Sequence, residues 1–317
     1  MTGYLLRRLL GFAVTLFVAA AIIFFVLDLL PGDPAQFILG VNGTPQAVAK
    51  LRVQLGLDGP SVQRLFIWIG GMLQGDFGIS YTQNAPVAQL IGERLRVTLP
   101  LAGFAMALSV AVGLPLGIVA ARRRGKLLDT GLMVLAQTGI AVPNFWVGML
   151  LVLAFSVGLH WLPSGGFTAW SEDPSGALRS LILPSVALAL PEASILARVM
   201  RTALVDVQGQ DFIRTARAKG MTMSEAVWRH GVRNALLPVL TILGLQFAYM
   251  IAGTIIIENV FFLPGLGKLI FTAILQRDLI LVRGAVIALV VAVTTTMLVV
   301  DLLYALVDPR LRDRSGP

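Results

Sequence analysis

The chain has 317 residues, of which 56% are hydrophobic and 13% charged, with a formal net charge of +8 and no cysteine; its mean hydropathy is +0.83. Soluble domains carry about 25% charged residues, and a water-soluble chain this apolar would expose patches that aggregate. A soluble enzyme, a disordered protein and a disulfide scaffold are excluded, as are thiol catalysis, cysteine-ligated zinc and iron–sulfur clusters.

Stretches of about 20 apolar residues span a bilayer. Six occur, over residues 9–30, 98–121, 132–159, 181–203, 235–257 and 284–307, so an all-α polytopic membrane protein with six transmembrane helices is expected. The first follows Arg7-Arg8 like a signal peptide, but it is too long for an h-region and lacks a small-x-small cleavage site. It reads as a retained helix, ended by a rigid turn at Pro31-Gly32-Asp33-Pro34. Residues 31–97 form the largest segment outside the membrane. Thr44-Pro45 begins a helix there, with Gly56 as its stop. Ser61 is expected to cap a second helix that carries Leu65, Phe66, Trp68 and Ile69 and ends at Gly75. The third span holds Pro143-Asn144 and the fourth Pro191-Glu192. Proline removes a helix hydrogen bond, so both spans are expected to kink or break.

The basic residues report orientation. Of 25 Lys and Arg, 16 fall at the N-terminus, in the loop after the second span, at the end of the fourth span and in the loop after it, and in the tail. Nine fall on the other side. Short basic loops stay cytoplasmic, which places both termini inside and leaves nucleic-acid binding unnecessary as an account of the charge.

Residues 205–236 carry the most local information. Asp211 is placed to cap a short helix over residues 212–219, with Arg217 and Lys219 in its last turn, and Gly220 supplies a left-handed end. Thr222-Met223-Ser224-Glu225 has capping-box spacing, so a second short helix is expected at once, entering the fifth span at Pro238. Ala226, Val227, Trp228 and Val232 give that unit an apolar ridge among Arg229, His230 and Arg233. Two capped helices with an apolar face suit docking better than an ordinary solvated loop.

Arg214-Thr215-Ala216-Arg217-Ala218-Lys219-Gly220 resembles the "EAA" loop of permeases in ATP-binding-cassette importers. With Arg229-His230, Arg233-Asn234-Ala235-Leu236-Leu237-Pro238, Gln74-Gly75-Asp76-Phe77-Gly78-Ile79-Ser80-Tyr81, Pro143-Asn144-Phe145-Trp146-Val147-Gly148, Leu263-Pro264-Gly265-Leu266-Gly267, Arg277-Asp278 and Asp308-Pro309-Arg310-Leu311-Arg312, it is similar to the dipeptide, oligopeptide and nickel branch over essentially the whole chain. Two features depart from the general motif: it begins Glu-Ala-Ala where Arg214-Thr215-Ala216 stands, and Pro238 follows Gly220 by 18 residues. The resemblance implies a type I permease fold in the inner membrane, divided into residues 1–97, a core of 98–307 and a tail of 308–317. It also implies a second, homologous permease, two cytoplasmic ATPases that dock on this loop (Glu225 and Trp228 included) and hold ATP and Mg, and an external binding protein. No cofactor is implied for this chain. It lacks G-x-x-x-x-G-K-[ST], and Gly265-Leu266-Gly267-Lys268 is too short for a phosphate loop.

Charged groups within spans are costly and face protein or water. Glu192 has three readings: a structural pairing with Arg198 or the kinked backbone, a lining of the substrate path, or a proton relay. Pro143, Asn144, Pro191, Gln246 and Tyr249 are the other candidates for pathway or gate. Asp28 reads as interfacial, and Asp301 as paired near the inner end of the last span. His160 and His230 lie on opposite sides and cannot share a metal. An intramembrane serine protease lacks a histidine inside the bundle, and a channel lacks a filter motif or charged ring. A proton-coupled transporter built on Glu192 is the alternative, and it would need no ATPase.

Overall fold

The computed structural model describes residues 2–29, 34–39, 44–54 and 58–307. The turn at residues 31–33, the stop at Gly56 and the motif at residues 308–312 lie outside them. The chain divides into two compact units, Met1–Val97 with Pro264–Leu298, and Thr98–Leu263 with Val299–Pro317.

The first unit begins with α1 (Thr2–Asp28), α2 (Pro34–Leu39), α3 (Pro45–Gln54) and α4 (Ser61–Leu73). Thr44 caps α3 as expected, its Oγ1 accepting from Ala47 N at 3.3 Å. Ser61 does not cap α4. Pro60 holds the N-cap position, and the Ser61 hydroxyl donates to the Asp28 carboxylate at 2.8 Å. Arg64 reaches the same oxygen at 2.8 Å, so a charge-assisted bond takes the hydroxyl from its own helix. Asp28 thus ties α1 to α4. Gly75 ends that helix with φ +83°.

A two-stranded hairpin follows, β1 (Ile79–Ser80) with β2 (Ala85–Pro86), antiparallel and registered Ile79 to Pro86. It is anchored 198 residues away. The fully buried Asp278 accepts from Ser80 Oγ at 2.6 Å, Thr82 Oγ1 at 2.8 Å, Thr82 N at 3.2 Å and Leu281 N at 3.0 Å. The last bond caps α13 (Leu279–Val307). The Tyr81 hydroxyl donates to the Arg277 carbonyl; burial, then the Asp278 charge, push that phenol up to about 12. Around this anchor Val87, Leu90 and Ile91 of α5 (Val87–Arg122) pack on Leu266, Leu269 and Ile270 of α12 (Leu266–Leu275) and on Leu281 and Val282 of α13. Arg283, in the first turns of α13, lies 4.5 Å from the Phe24 ring centroid and 5.2 Å from that of Trp68, a cation on two aromatic faces. Asp278→Ala strands the buried Ser80 hydroxyl and removes the acceptor of the Thr82 hydroxyl and of two amides. It is expected to cost about 3 kcal/mol or more, since bonds to charged groups contribute about 1.5–3 kcal/mol each. Hydrogen exchange at residues 79–86 should rise in that variant, and unchanged protection there would contradict the anchor.

The second unit is built around α8 (Pro174–Gln208), which buries sixteen of its 35 residues. Asp173 caps it, accepting from Ser175 N at 2.9 Å. The break expected at Pro191 is absent: α8 runs through Pro184 and Pro191. Neighbouring helices supply donors to carbonyls beside the proline. Ser109 of α5 donates to Ala189 O at 3.2 Å, and Gln246 of α11 (Val232–Val260) to Glu192 O at 3.0 Å, so cross-helix bonds flank the proline on both sides. Gly113 and Gly117 bring α5 onto the same helix. A Cβ at Gly113 would meet the Ala193 carbonyl at 2.6 Å, and one at Gly117 the Ala197 carbonyl at 2.5 Å. Two small-xxx-small rows thus face each other at backbone distance.

The break at Pro143 is real and sharp. α6 (Leu127–Ala141) and α7 (Asn144–Leu151), which continues as a π-helical stretch Val152–Gly158, meet at 98°. Asp129 in the first turn of α6 receives a bidentate pair from Arg201 of α8, at 2.5 and 2.7 Å, and the amide of Gly125 at 2.9 Å. Among the described residues five helices are long and apolar enough to cross a bilayer, and the bent α6–α7 pair, counted as one span, makes six.

Candidate functional site

The loop after α8 folds as a self-supporting turn. α9 (Asp211–Ala218) starts one residue earlier than expected, with Gln210 at its N-cap position. It buries Ile213 and Ala216 against Ala226, so Ala216 is a packing residue. Arg214, Thr215, Arg217, Ala218 and Lys219 stay exposed. Asp211 pairs with Arg214 at 3.2 Å. Gly220 has φ +94°, and nothing within 4 Å of a Cβ placed there; its backbone angle, not crowding, demands glycine. The capping box forms in full: Thr222 N donates to Glu225 Oε2 at 2.8 Å, and Glu225 N to Thr222 Oγ1 at 3.3 Å.

Two expectations about the second half are corrected. There is no separate short helix. α10 (Met223–Ala226) passes through a π-helical stretch, Val227–Gly231, straight into α11, giving one helix Met223–Val260. Ala226 and Gly231 both keep right-handed helical angles, so nothing interrupts it, and Pro238 lies inside. The ridge also faces inward. Ala226 is fully buried and Val227 nearly so, Val227 packing with Met200 and Leu204 of α8, and Val232 joins the edge of that cluster. Burial within the chain removes the apolar surface expected to be free. Trp228 alone points out, 53% exposed. It lies under the Arg122 guanidinium at 5.9 Å, and Arg122 also donates to Ser224 at 2.8 Å. The outward face is a 530 Å³ depression lined by Lys219, Gly220, Met221, Glu225, Trp228 and Arg229. Arg233 is exposed beside it, and His230 half-buried.

Of the pathway candidates, the structure brings Glu192 and Gln246 together through the 3.0 Å bond from Gln246 Nε2 to the Glu192 carbonyl. Gln246 is 3% exposed, and its Oε1 is buried without a partner among the described residues. Tyr249, 69% exposed, lies on the outer surface of the same helix. Pro143 and Asn144 sit at the α6–α7 break. Arg198, one partner considered for Glu192, donates instead to Gln137 at 3.0 Å. Sequence reasoning assigned no interaction to Asp129, Asp278 or Glu258. The last is fully buried and accepts from Thr98 at 2.6 Å. Each is an acid in or beside an apolar run, the pattern that marks a built interaction in a membrane protein.

Residues 113–313 match the family described as binding-protein-dependent transport system inner membrane component, and residues 1–102 match its N-terminal companion. The chain belongs to this family. The permease is 43% identical, over 98% of its length and 99% of the relative's, to a Brucella abortus (strain 2308) protein whose name assigns it, provisionally, to a peptide transport system as permease. It is 42% identical over the same shares to the glutathione transport system permease protein GsiC of Salmonella typhimurium (strain LT2). Among solved structures the MetNI methionine ABC transporter, in an inward-facing conformation, matches 69% of the permease and 97% of its own chain, with a TM-score of 0.58 at 18% identity. That likeness shows the type I importer fold. The permease is a multi-pass membrane component of an ATP-driven importer, in which hydrolysis belongs to partner subunits. The proton-coupled alternative on Glu192 finds no support.

Proposed function

We propose that this permease forms half of the path for peptides or peptide-like solutes such as glutathione, which an external binding protein delivers. A second, homologous permease completes the path. Each permease docks one ATPase, which holds ATP and Mg, while both termini face the cytoplasm. Residues 1–97 lead into the core of 98–307, and the tail is 308–317. The names of the relatives support the solute class. The observation that carries the docking is the turn at Gly220, where exposed basic residues and Trp228 surround a 530 Å³ depression. The partly exposed Pro191 and Glu192, with Gln246, Tyr249, Pro143 and Asn144, belong to the path or its gate.

Gly220→Val forces a β-branched residue to φ +94°, at a cost of about 1–2 kcal/mol or more. It should leave insertion and permease pairing intact and abolish the hydrolysis stimulated by peptide-loaded binding protein in proteoliposomes. Full stimulation and full uptake in the variant would remove the docking role.

A further inference from the structure

A second cavity, of about 500 Å³, opens on α8 and is not used by the docking turn. Its volume lies in the range of small-solute sites, roughly 300–1,000 Å³. Arg198, Thr202 and Asp206 line it from one helix face at four-residue spacing, and Ile140, Val199 and Pro238 form apolar walls. All three polar residues are exposed. Exposed charge on a bilayer helix is retained where it meets water or a polar partner. The bond to Gln137 occupies one of the five N–H donors of Arg198. Asp206 offers an acceptor eight residues on, about 12 Å along the axis.

We infer that this groove is a zwitterion site, in which Arg198 takes the carboxylate and Asp206 the ammonium of a short extended peptide. An extended tripeptide spans about 10 Å, comparable with the axial rise between the two residues. Thr202 lies between them, level with the middle peptide unit. The apolar walls leave the peptide's side chains unselected, so the site recognises termini and not sequence. The inference rests on the reading of the chain as half of a peptide path and names where the peptide is held.

The test uses the full complex of both permeases and both ATPases in nanodiscs, without binding protein. The probes are radiolabelled trialanine, its N-acetyl form and its C-terminal amide. The wild type should bind the free peptide about tenfold more tightly than either blocked form, the size of one charge-assisted hydrogen bond. Asp206→Asn should erase the discrimination against the N-acetyl form alone, and Arg198→Gln that against the amide alone. Thr202→Trp, which fills the groove, should remove binding of all three. Unchanged discrimination in both charge variants overturns the inference. Failure of the wild type to bind trialanine, while the same complex with binding protein imports it, overturns the inference and leaves the importer reading standing. A complex that hydrolyses ATP but neither binds nor imports any peptide overturns both.

Discussion

Gly117→Leu is expected to abolish accumulation of folded permease, not merely to slow transport. A Cβ there would lie 2.5 Å from the Ala197 carbonyl and 2.7 Å from the Met200 Cβ. Neither atom is the free end of a flexible side chain, so relief requires α5 and α8 to separate. Overpacking a core commonly costs about 1–3 kcal/mol and sometimes more. Here the displaced element is α8 itself, on which α5, α6, α7 and α11 all pack, and the cost should exceed about 3 kcal/mol. Gly103→Leu on the same helix is the control, because nothing lies within 4 Å of its Cβ position. Membrane yield and the melting of the detergent-solubilised chain should fall sharply for the first and stay near wild type for the second. Equal behaviour of the two would show that the close approach is not needed.

Asp129→Ala should be nearly as damaging. The Asp129 side chain is 4% exposed and that of Arg201 26%, and the pair is bidentate. Removing the acid leaves a partly exposed guanidinium without its partner and frees the Gly125 amide. Losing the charge-assisted bonds of this half-buried pair should cost about 2–3 kcal/mol. Adding Arg201→Met should recover part of the loss, since an apolar isostere of a buried pair is often tolerated. Thermal unfolding of the single and double variants measures the coupling; a double variant no more stable than Asp129→Ala would deny it.

The elements legible in the sequence are those whose cause is local. The positive φ at Gly220, the capping box from Thr222 to Glu225, the start of α3 at Thr44 and the break at Pro143 depend on residues within four positions. The readings that failed depend on distant neighbours. Pro191 does not break α8, and the bonds from Ser109 and Gln246 that flank it cannot be assigned from spacing. Ser61 is taken by Asp28, 33 residues earlier. The docking ridge turned inward because helical periodicity shows that a face is apolar without showing what covers it. The anchor of Ser80 and Thr82 on Asp278 joins two of the stretches that carry the family resemblance, yet only the fold puts them in contact. Gly113-x-x-x-Gly117 was the missed local pattern. In an apolar run that spacing marks a helix–helix contact, and it could have been read.

The uninterrupted passage from Met223 to Val260 has a mechanical consequence. A helix of 38 residues is about 57 Å long at 1.5 Å per residue, and the exposed Trp228 sits near one end. Under the docking proposed above, a push delivered there passes along one continuous helix to the far end of the fifth span, as along a lever arm. Its compliance is concentrated in the π-helical stretch Val227–Gly231, where the backbone ladder is already wide. Under that docking, a stroke at the Trp228 end would tilt the whole span, with the wide turn taking up part of the twist.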